Sequence, residues 1–262
     1  MFASRRFLAG VLLLVTTACA YHVPAGVPAP VASETFVRLH GHQLRLHLSR
    51  PPSPSPSSVL LVYATGDGGW WGKDRALYSH LTTWGYPAVG FSSREYVHHL
   101  EKAPVTATEV AGDYRAIIDV ATAALGFSTP PRVVLVGKSR GAGLSLAAAL
   151  DPAFNEAIDG IVAAGLTREE EYVHGHVKGS ASRELVMLDT YARIADLGSL
   201  PFAVIQSTRD NYVPAARARE LFGADTPDRE LIPIESSDHN FGGALDDLYR
   251  EMEQSLHWVL KR

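Results

Sequence analysis

The chain has 262 residues, of which 46% are hydrophobic and 20% are charged. That size suits one globular domain with a sizeable core. The formal net charge of −4 and the lack of a basic stripe argue against nucleic-acid binding. The single cysteine, Cys19, excludes an intramolecular disulfide.

The first 20 residues are predicted to be an export signal. Arg5 and Arg6 form a positive segment, and the apolar run 7–15 that follows is too short to span a bilayer. Two cleavage sites compete: a lipoprotein box that would lipidate Cys19, and an A-x-A site at residues 18–20. We therefore expect a periplasmic protein that is either soluble or held at the membrane by a lipid on Cys19.

Residues 21–33 are rich in proline and alanine and are predicted to be a flexible tether, with one folded domain over residues 34–262. Strands are predicted at 35–40 and 43–49, as a hairpin around Gly41 and His42, and at 59–64, 86–91, 133–136, 160–166, 202–206 and 230–234. Helices are predicted at 76–84, 106–125 with a capping box, 141–150, 214–222 and 245–260.

Three stretches are predicted to lack regular structure. Residues 50–58 contain four prolines and would form a surface connection, and residues 92–104 would form a loop. Residues 167–197 are polar and would cover the site as a small cap. The alternation of strands and helices elsewhere predicts a mostly parallel sheet with helices on both faces.

A strand, the pentapeptide Gly-Lys-Ser-Arg-Gly at 137–141 and a helix together form the pattern of a nucleophile elbow. The turn is so tight that the residues two before and two after Ser139 must lack a side chain. Its hydroxyl would stand at a helix N-terminus, where backbone N–H groups can face an anion. The alternative is a glycine-rich turn with a capping serine.

Two further polar side chains follow later strands, in the order serine, aspartate, histidine. A serine hydroxyl needs a base, and His239 is the candidate because imidazole titrates near neutral pH. Asp210 would orient and stabilise that imidazole. Weaker candidates for the acid are Asp189, Asp196 and Asp238.

An acyl-transfer site also needs donors for the oxyanion. One is expected to be the backbone N–H of Arg140, and the other that of Asp67 or Gly68 in the glycine loop 66–69. A phosphate cradle is the alternative for this loop, but the P-loop lysine is missing. Trp70 and Trp71 would either line the pocket or pack in the fold.

Charged residues near the elbow have two interpretations each. Lys138 and Arg140 are either surface charges or attract an anionic head group. Glu169 and Glu170 either begin a solvated helix or hold a cationic substrate group over the serine. The histidine pairs 98–99 and 174/176 lack the further ligands that a metal site needs, so no metal or other cofactor is predicted.

The chain resembles the VirJ/AcvB family of bacterial virulence proteins from about Val59 to the C-terminus. The motifs are Gly-Asp-Gly-Gly-Trp at 66–70, Pro-Ala-Val-Gly-Phe-Ser at 87–92, Thr-Glu-Val-Ala-Gly-Asp-Tyr at 108–114 and Gly-Lys-Ser-Arg-Gly-Ala at 137–142. This chain departs from the family in having charged residues on both sides of the serine, at 138 and 140.

The resemblance implies an α/β-hydrolase fold, an envelope location and, as in some members, hydrolysis of lysyl-phosphatidylglycerol. It would make Ser139 the nucleophile, Asp210 the acid and His239 the base, with the 66–70 loop on the oxyanion side. The predicted function is an exported serine hydrolase acting on an aminoacyl-phospholipid. The alternatives are a generic exported carboxylesterase or lipase, and a non-catalytic protein that binds or assists envelope and secretion components.

Overall fold

The computed structural model describes residues 31–51, 58–100, 105–171 and 187–261. The predicted export signal, Cys19, residues 21–30 of the tether and the histidines at 174 and 176 lie outside the described residues. So do residues 52–57 of the proline-rich connection and residues 172–186 of the predicted cap.

The described residues form a mostly parallel sheet and its flanking helices. The strands are β1 (Val31–Leu39), β2 (His42–Arg50), β3 (Val59–Ala64), β4 (Ala88–Phe91), β5 (Arg132–Lys138), β6 (Gly160–Ala164), β7 (Glu169–Glu171), β8 (Met187–Asp189), β9 (Phe202–Ser207) and β10 (Arg229–Ile234). The helices are α1 (Gly72–Thr83), α2 (Ser93–Leu100), α3 (Ala107–Leu125), α4 (Arg140–Ala149), α5 (Pro152–Asn155), α6 (Thr190–Arg193), α7 (Ala215–Phe222) and α8 (Leu245–Leu260). A 3-10 turn, Ile194–Leu197, follows α6.

Eight strands make the main sheet, in the order β1-β2-β4-β3-β5-β6-β9-β10. In this sheet β2 is antiparallel to β1 and to β4, and from β4 to β10 every pairing is parallel. Strands β3, β5, β6, β9 and β10 therefore end at one edge, where the loops that follow them meet.

Alternate side chains of the central strands pack on opposite faces of the sheet. In β3, Leu60 and Val62 belong to the core shared with α3 and α4, whereas Leu61 and Tyr63 pack with α1 and α8. Helix α3 begins at the predicted capping box of Thr106 and Glu109 and ends at the left-handed Gly126. Helices thus cover both faces of the sheet, as the sequence predicted.

The N-terminal hairpin starts earlier and turns earlier than predicted. Val31 pairs with Arg50 at the open end, so the last three residues of the predicted tether belong to β1. The turn is His40-Gly41, with φ of 49° and 81°, which fits a two-residue turn that needs positive φ twice. His42 lies in β2.

The predicted loop after β4 is wrong, because residues 93–100 form helix α2. The Ser92 hydroxyl accepts the Glu95 N–H at 3.2 Å, as an N-cap does. Tyr96, Val97 and Leu100 are buried on one side of the helix. A serine cap and an apolar face at helical spacing were both visible in the sequence.

Candidate active site

Ser139 lies in the turn between β5 and α4, with φ of 52° and ψ of −120°. A Cβ on Gly137 would come within 2.3 Å of the Gly141 carbonyl oxygen, and one on Gly141 within 2.1 Å of the Ala64 oxygen. Neither backbone atom can yield that much space, so both positions require glycine. The turn therefore has the geometry predicted for a nucleophile elbow.

The structure brings the three predicted catalytic residues into one hydrogen-bonded chain. His239 Nε2 is 2.8 Å from Ser139 Oγ, and His239 Nδ1 is 2.6 Å from Asp210 Oδ2. The His239 and Asp210 side chains are buried, which shields their hydrogen bond from solvent. The ring can thus take a proton from the serine while the carboxylate fixes its orientation.

Asp210 is held from several sides. Its Oδ1 accepts the N–H groups of Tyr212 and Val213, at 2.7 and 3.2 Å, and its Oδ2 also accepts Gln206 Nε2 at 3.0 Å. These bonds leave the carboxylate little freedom to turn away from His239. Gln206 is a supporting residue that sequence reasoning missed, since it is an inward-facing side chain of β9 with no motif around it.

The three rival aspartates are engaged elsewhere. Asp189 caps α6 through the Ala192 N–H at 3.3 Å, and Asp196 pairs with Arg193 at 2.6 Å. Asp238 accepts the backbone N–H groups of residues 240 and 242, which lowers the pKa of its carboxyl. Their local partners are the reason that only Asp210 meets the imidazole.

The glycine loop lies across the elbow from Ser139. A Cβ on Gly66 would be 3.4 Å from the Ser139 Cβ. The Gly66 N–H donates to Asp74 Oδ1 at 2.7 Å, which leaves the next two amides, of Asp67 and Gly68, as the predicted oxyanion donors. The Arg140 N–H, the other predicted donor, is the first of helix α4.

Lys138 is not a surface charge at the mouth of the site. Its side chain is only 6% exposed, and its ammonium donates to Asp74 Oδ2 at 3.1 Å and to Asn240 Oδ1 at 2.9 Å. The hypothesis that Lys138 attracts an anionic head group is therefore wrong, because its charge is already paired inside the protein. We call Lys138 and Asp74 the inner pair.

Arg140 lies on the other side of the serine and forms an ion pair with Asp67. We call these two residues the outer pair; the Asp67 side chain is 67% exposed. Both residues line a cavity of about 650 Å³, together with Ser92, Arg94, Glu95, Val97 and His98 of the α2 region. Charges of both signs thus surround the space beside the nucleophile.

The glutamates after β6 form a strand and not the start of a helix, because β7 pairs with β8 in a two-stranded antiparallel sheet. Glu169 points to solvent, whereas Glu170 is buried and accepts the Thr167 hydroxyl. Burial raises the pKa of the Glu170 carboxyl, and Asp67 acts in the same direction; the Thr167 bond, Arg140 and His239 oppose it.

The two tryptophans have different surroundings. Trp70 stacks on His47, with ring centroids 3.8 Å apart, and packs edge-on against Tyr78. Trp70 therefore packs within the fold, and the lack of a side chain at Gly90 leaves room for its ring. Trp71 is 81% exposed at the start of α1. Tyr212, which sequence reasoning missed, is also exposed and meets the His239 ring edge-on at 4.8 Å.

His98 and His99 lie in α2, and the described residues contain no group of three potential ligands arranged to hold a metal ion. Within the same described ranges, none of the helices is both long enough and apolar enough to cross a bilayer.

The sequence matches the family described as bacterial virulence protein (VirJ) over residues 58–193, just over half of the chain. No curated protein sequence matches it.

Solved structures share its architecture at low identity. Est1E from Butyrivibrio proteoclasticus is 12% identical, with a TM-score of 0.62 over 87% of this chain and 99% of that one. An alpha-beta serine hydrolase homologue from Coxiella burnetii is 17% identical, with a TM-score of 0.61 over 86% and 97%. A serine hydrolase without lid from Xanthomonas campestris is 15% identical, with a TM-score of 0.59 over 86% and 94%. These likenesses establish the α/β-hydrolase fold.

Proposed function

The chain belongs to the VirJ family of bacterial virulence proteins, and from that premise we propose that it is an exported serine hydrolase that cleaves an ester through an acyl-enzyme. The observation that carries this proposal is the continuous hydrogen-bonded chain from Ser139 through His239 to Asp210. Such a chain is what converts an inert hydroxyl into a nucleophile.

The reaction follows from the geometry. His239 Nε2 takes the Ser139 proton as Oγ attacks the ester carbonyl, and the resulting oxyanion is stabilised by the N–H groups of Arg140 and of Asp67 or Gly68. Collapse breaks the bond to the alcohol, which leaves with the proton from His239. A water molecule then gives a proton to His239 as its oxygen attacks the acyl-enzyme, and collapse of this second intermediate returns that proton to Ser139 Oγ and releases the acid.

We propose an aminoacyl ester of phosphatidylglycerol, such as lysyl-phosphatidylglycerol, as the substrate. The cavity is lined by the Arg140–Asp67 ion pair and also by Arg94 and Glu95, so it offers a cation for a phosphate and an acid for an amine. Glu170 is close enough to Asp67, Arg140 and His239 for their charges to shift the pKa of its carboxyl. A substrate ammonium beside Glu170 would lower the raised pKa of its carboxyl and so favour the charged form.

The proposed location follows from the same substrate. An export signal would bring the enzyme to the periplasm, and a lipid on Cys19 would hold it near membrane lipids. Whether envelope or secretion components bind it is a separate hypothesis that the site itself does not require.

The test uses purified protein and vesicles of phosphatidylglycerol containing lysyl-phosphatidylglycerol. We expect wild type to release lysine and to react with a fluorophosphonate probe, and Ser139→Ala to do neither. Chromogenic carboxyl esters of rising chain length serve as the comparison. A wild type that cleaves those esters and leaves lysyl-phosphatidylglycerol intact is a generic carboxylesterase or lipase. A wild type that is silent toward the probe is a binding protein on a hydrolase fold.

A further inference from the structure

The inner pair lies directly behind the nucleophile. Lys138 is the residue before Ser139, and Asp74 is in the first turn of α1. Both side chains are almost fully buried, at 6% and 7% exposure, and the two charges meet at 3.1 Å. The reaction outlined above uses neither residue.

Asp74 uses both of its oxygens. Oδ2 accepts the Lys138 ammonium, and Oδ1 accepts the Gly66 N–H at 2.7 Å and the Tyr63 hydroxyl at 2.9 Å. Gly66 precedes the amides expected to bind the oxyanion. The carboxylate therefore connects the nucleophile strand to the oxyanion loop.

Lys138 makes the third connection. Its second hydrogen bond, at 2.9 Å, goes to the side chain of Asn240, the residue that follows His239. The loop after β10 is thus tied to the elbow within one residue of the catalytic base. The nucleophile, the oxyanion loop and the base each have a neighbour in this one polar cluster.

A buried ion pair is a costly way to hold a fold together. Removing two charges from water is energetically unfavourable, and apolar residues of similar volume often give equal or greater stability. A directional contact to three separate segments, by contrast, fixes relative positions that apolar packing leaves softer. The cluster fits the second role better than the first.

We propose that Lys138 and Asp74 are positioning residues, which align the Ser139 hydroxyl, the oxyanion amides and His239 without touching the substrate. This inference rests on the proposed hydrolase function. It predicts that breaking the cluster lowers kcat and leaves KM nearly unchanged, because no binding contact is lost.

Asn240→Ala is the most direct test, since Asn240 is exposed and its removal leaves the inner pair intact. We expect kcat for p-nitrophenyl acetate and the rate of fluorophosphonate labelling to fall about tenfold, within the range of up to 10²-fold for a small misplacement. The melting temperature should hardly change. Lys73→Met is the control, because the exposed Lys73 meets the same residue through its backbone oxygen, at 3.0 Å, and not through its side chain. Its rates should stay within about twofold of wild type.

Lys138→Met and the double variant Lys138→Met/Asp74→Asn separate positioning from stability. The single variant leaves a buried unpaired carboxylate and should lose about 10²-fold in kcat together with a large drop in melting temperature. The double variant removes both charges and should recover most of the melting temperature. Its kcat should remain at least about tenfold low, because a thioether has no proton to donate to the Asn240 side chain.

Two results overturn the inference and leave the hydrolase intact: wild-type rates in Asn240→Ala, or a double variant that recovers rate and melting temperature together. A wild-type protein that does not react with the fluorophosphonate probe overturns both the inference and the proposed function.

Discussion

The inner and outer pairs place the same chemistry on opposite sides of one serine. Each joins a basic residue next to Ser139 to an aspartate, yet Asp74 is 7% exposed and Asp67 is 67% exposed. Lys138 ends a strand and points into the layer beside α1, whereas Arg140 begins a helix and faces the cavity. The two pairs thus differ in the exposure of their aspartates and in what their basic residues face, so the inner pair is suited to alignment and the outer pair to recognition.

The largest loss of kcat is expected from a substitution in the catalytic triad, whose serine lies between the inner and outer pairs. Asp210→Asn keeps an oxygen for the backbone N–H groups of residues 212 and 213 but no longer stabilises the imidazolium. We expect kcat for p-nitrophenyl acetate to fall about 10⁴-fold, by analogy with other Ser-His-Asp triads. A fall of less than tenfold would mean that His239 works without this acid. The fall in kcat of Asp210→Asn is the reference against which the effects of inner-pair and outer-pair variants are compared.

Matched methionine substitutions compare the two sides directly. Arg140→Met should raise KM for lysyl-phosphatidylglycerol about tenfold, because a cation that lines the cavity is lost, with kcat within about threefold of wild type. Lys138→Met should lower kcat about 10²-fold and leave KM nearly unchanged. Steady-state kinetics on the two purified variants measures both constants. If both variants lose mainly kcat, the distinction between the pairs is wrong.

Glu170, whose pKa is influenced by both residues of the outer pair, should make the stability of the protein depend on pH. Its folded-state pKa lies above the ordinary value of about 4.3, so the folded protein holds the proton more tightly than the unfolded chain does. The contribution of the Glu170 carboxyl to the free energy of unfolding is fully present below about pH 4.3 and is lost as the pH rises through its raised pKa.

Glu170→Gln should remove this loss. Urea unfolding over a pH series should show the variant gaining on wild type through that window, with no gain below it. A constant difference at every pH would show that the carboxyl does not titrate differently in the folded state.

The smallest effect is expected at Trp71. Because the side chain is largely exposed, Trp71→Ala should change the free energy of unfolding by no more than about 0.5 kcal/mol. Tryptophan favours the membrane–water interface, so activity on vesicles should fall a few-fold while p-nitrophenyl acetate hydrolysis stays unchanged. Equal effects on both substrates would assign Trp71 to the catalytic site instead of the lipid surface.

The parts of the site that sequence could predict depend on local pattern. Ser139 is identified by the glycines on either side of it, and α3 by the Thr106–Glu109 box, because in each case the constraint lies within a few residues. The order of Ser139, Asp210 and His239 then follows from where the strands end.

The parts that sequence missed depend on distant partners. Lys138 is buried because Asp74, which is 64 residues away in sequence, neutralises it. The sequence around Lys138 contains nothing that reveals this. Glu170 turns inward because β7 pairs with β8. A segment of irregular composition separates the two strands in sequence, so the residues near Glu170 did not contradict the prediction of a helix. Charge burial is a tertiary property.

The backbone at Ser139 has one more consequence. A φ of 52° with ψ of −120° is a conformation that side chains disfavour, at a cost of about 1–3 kcal/mol. Glycine would adopt it freely, so the reaction and the folding equilibrium select different residues at position 139. Ser139→Gly would therefore abolish the reaction and, at the same time, raise the free energy of unfolding.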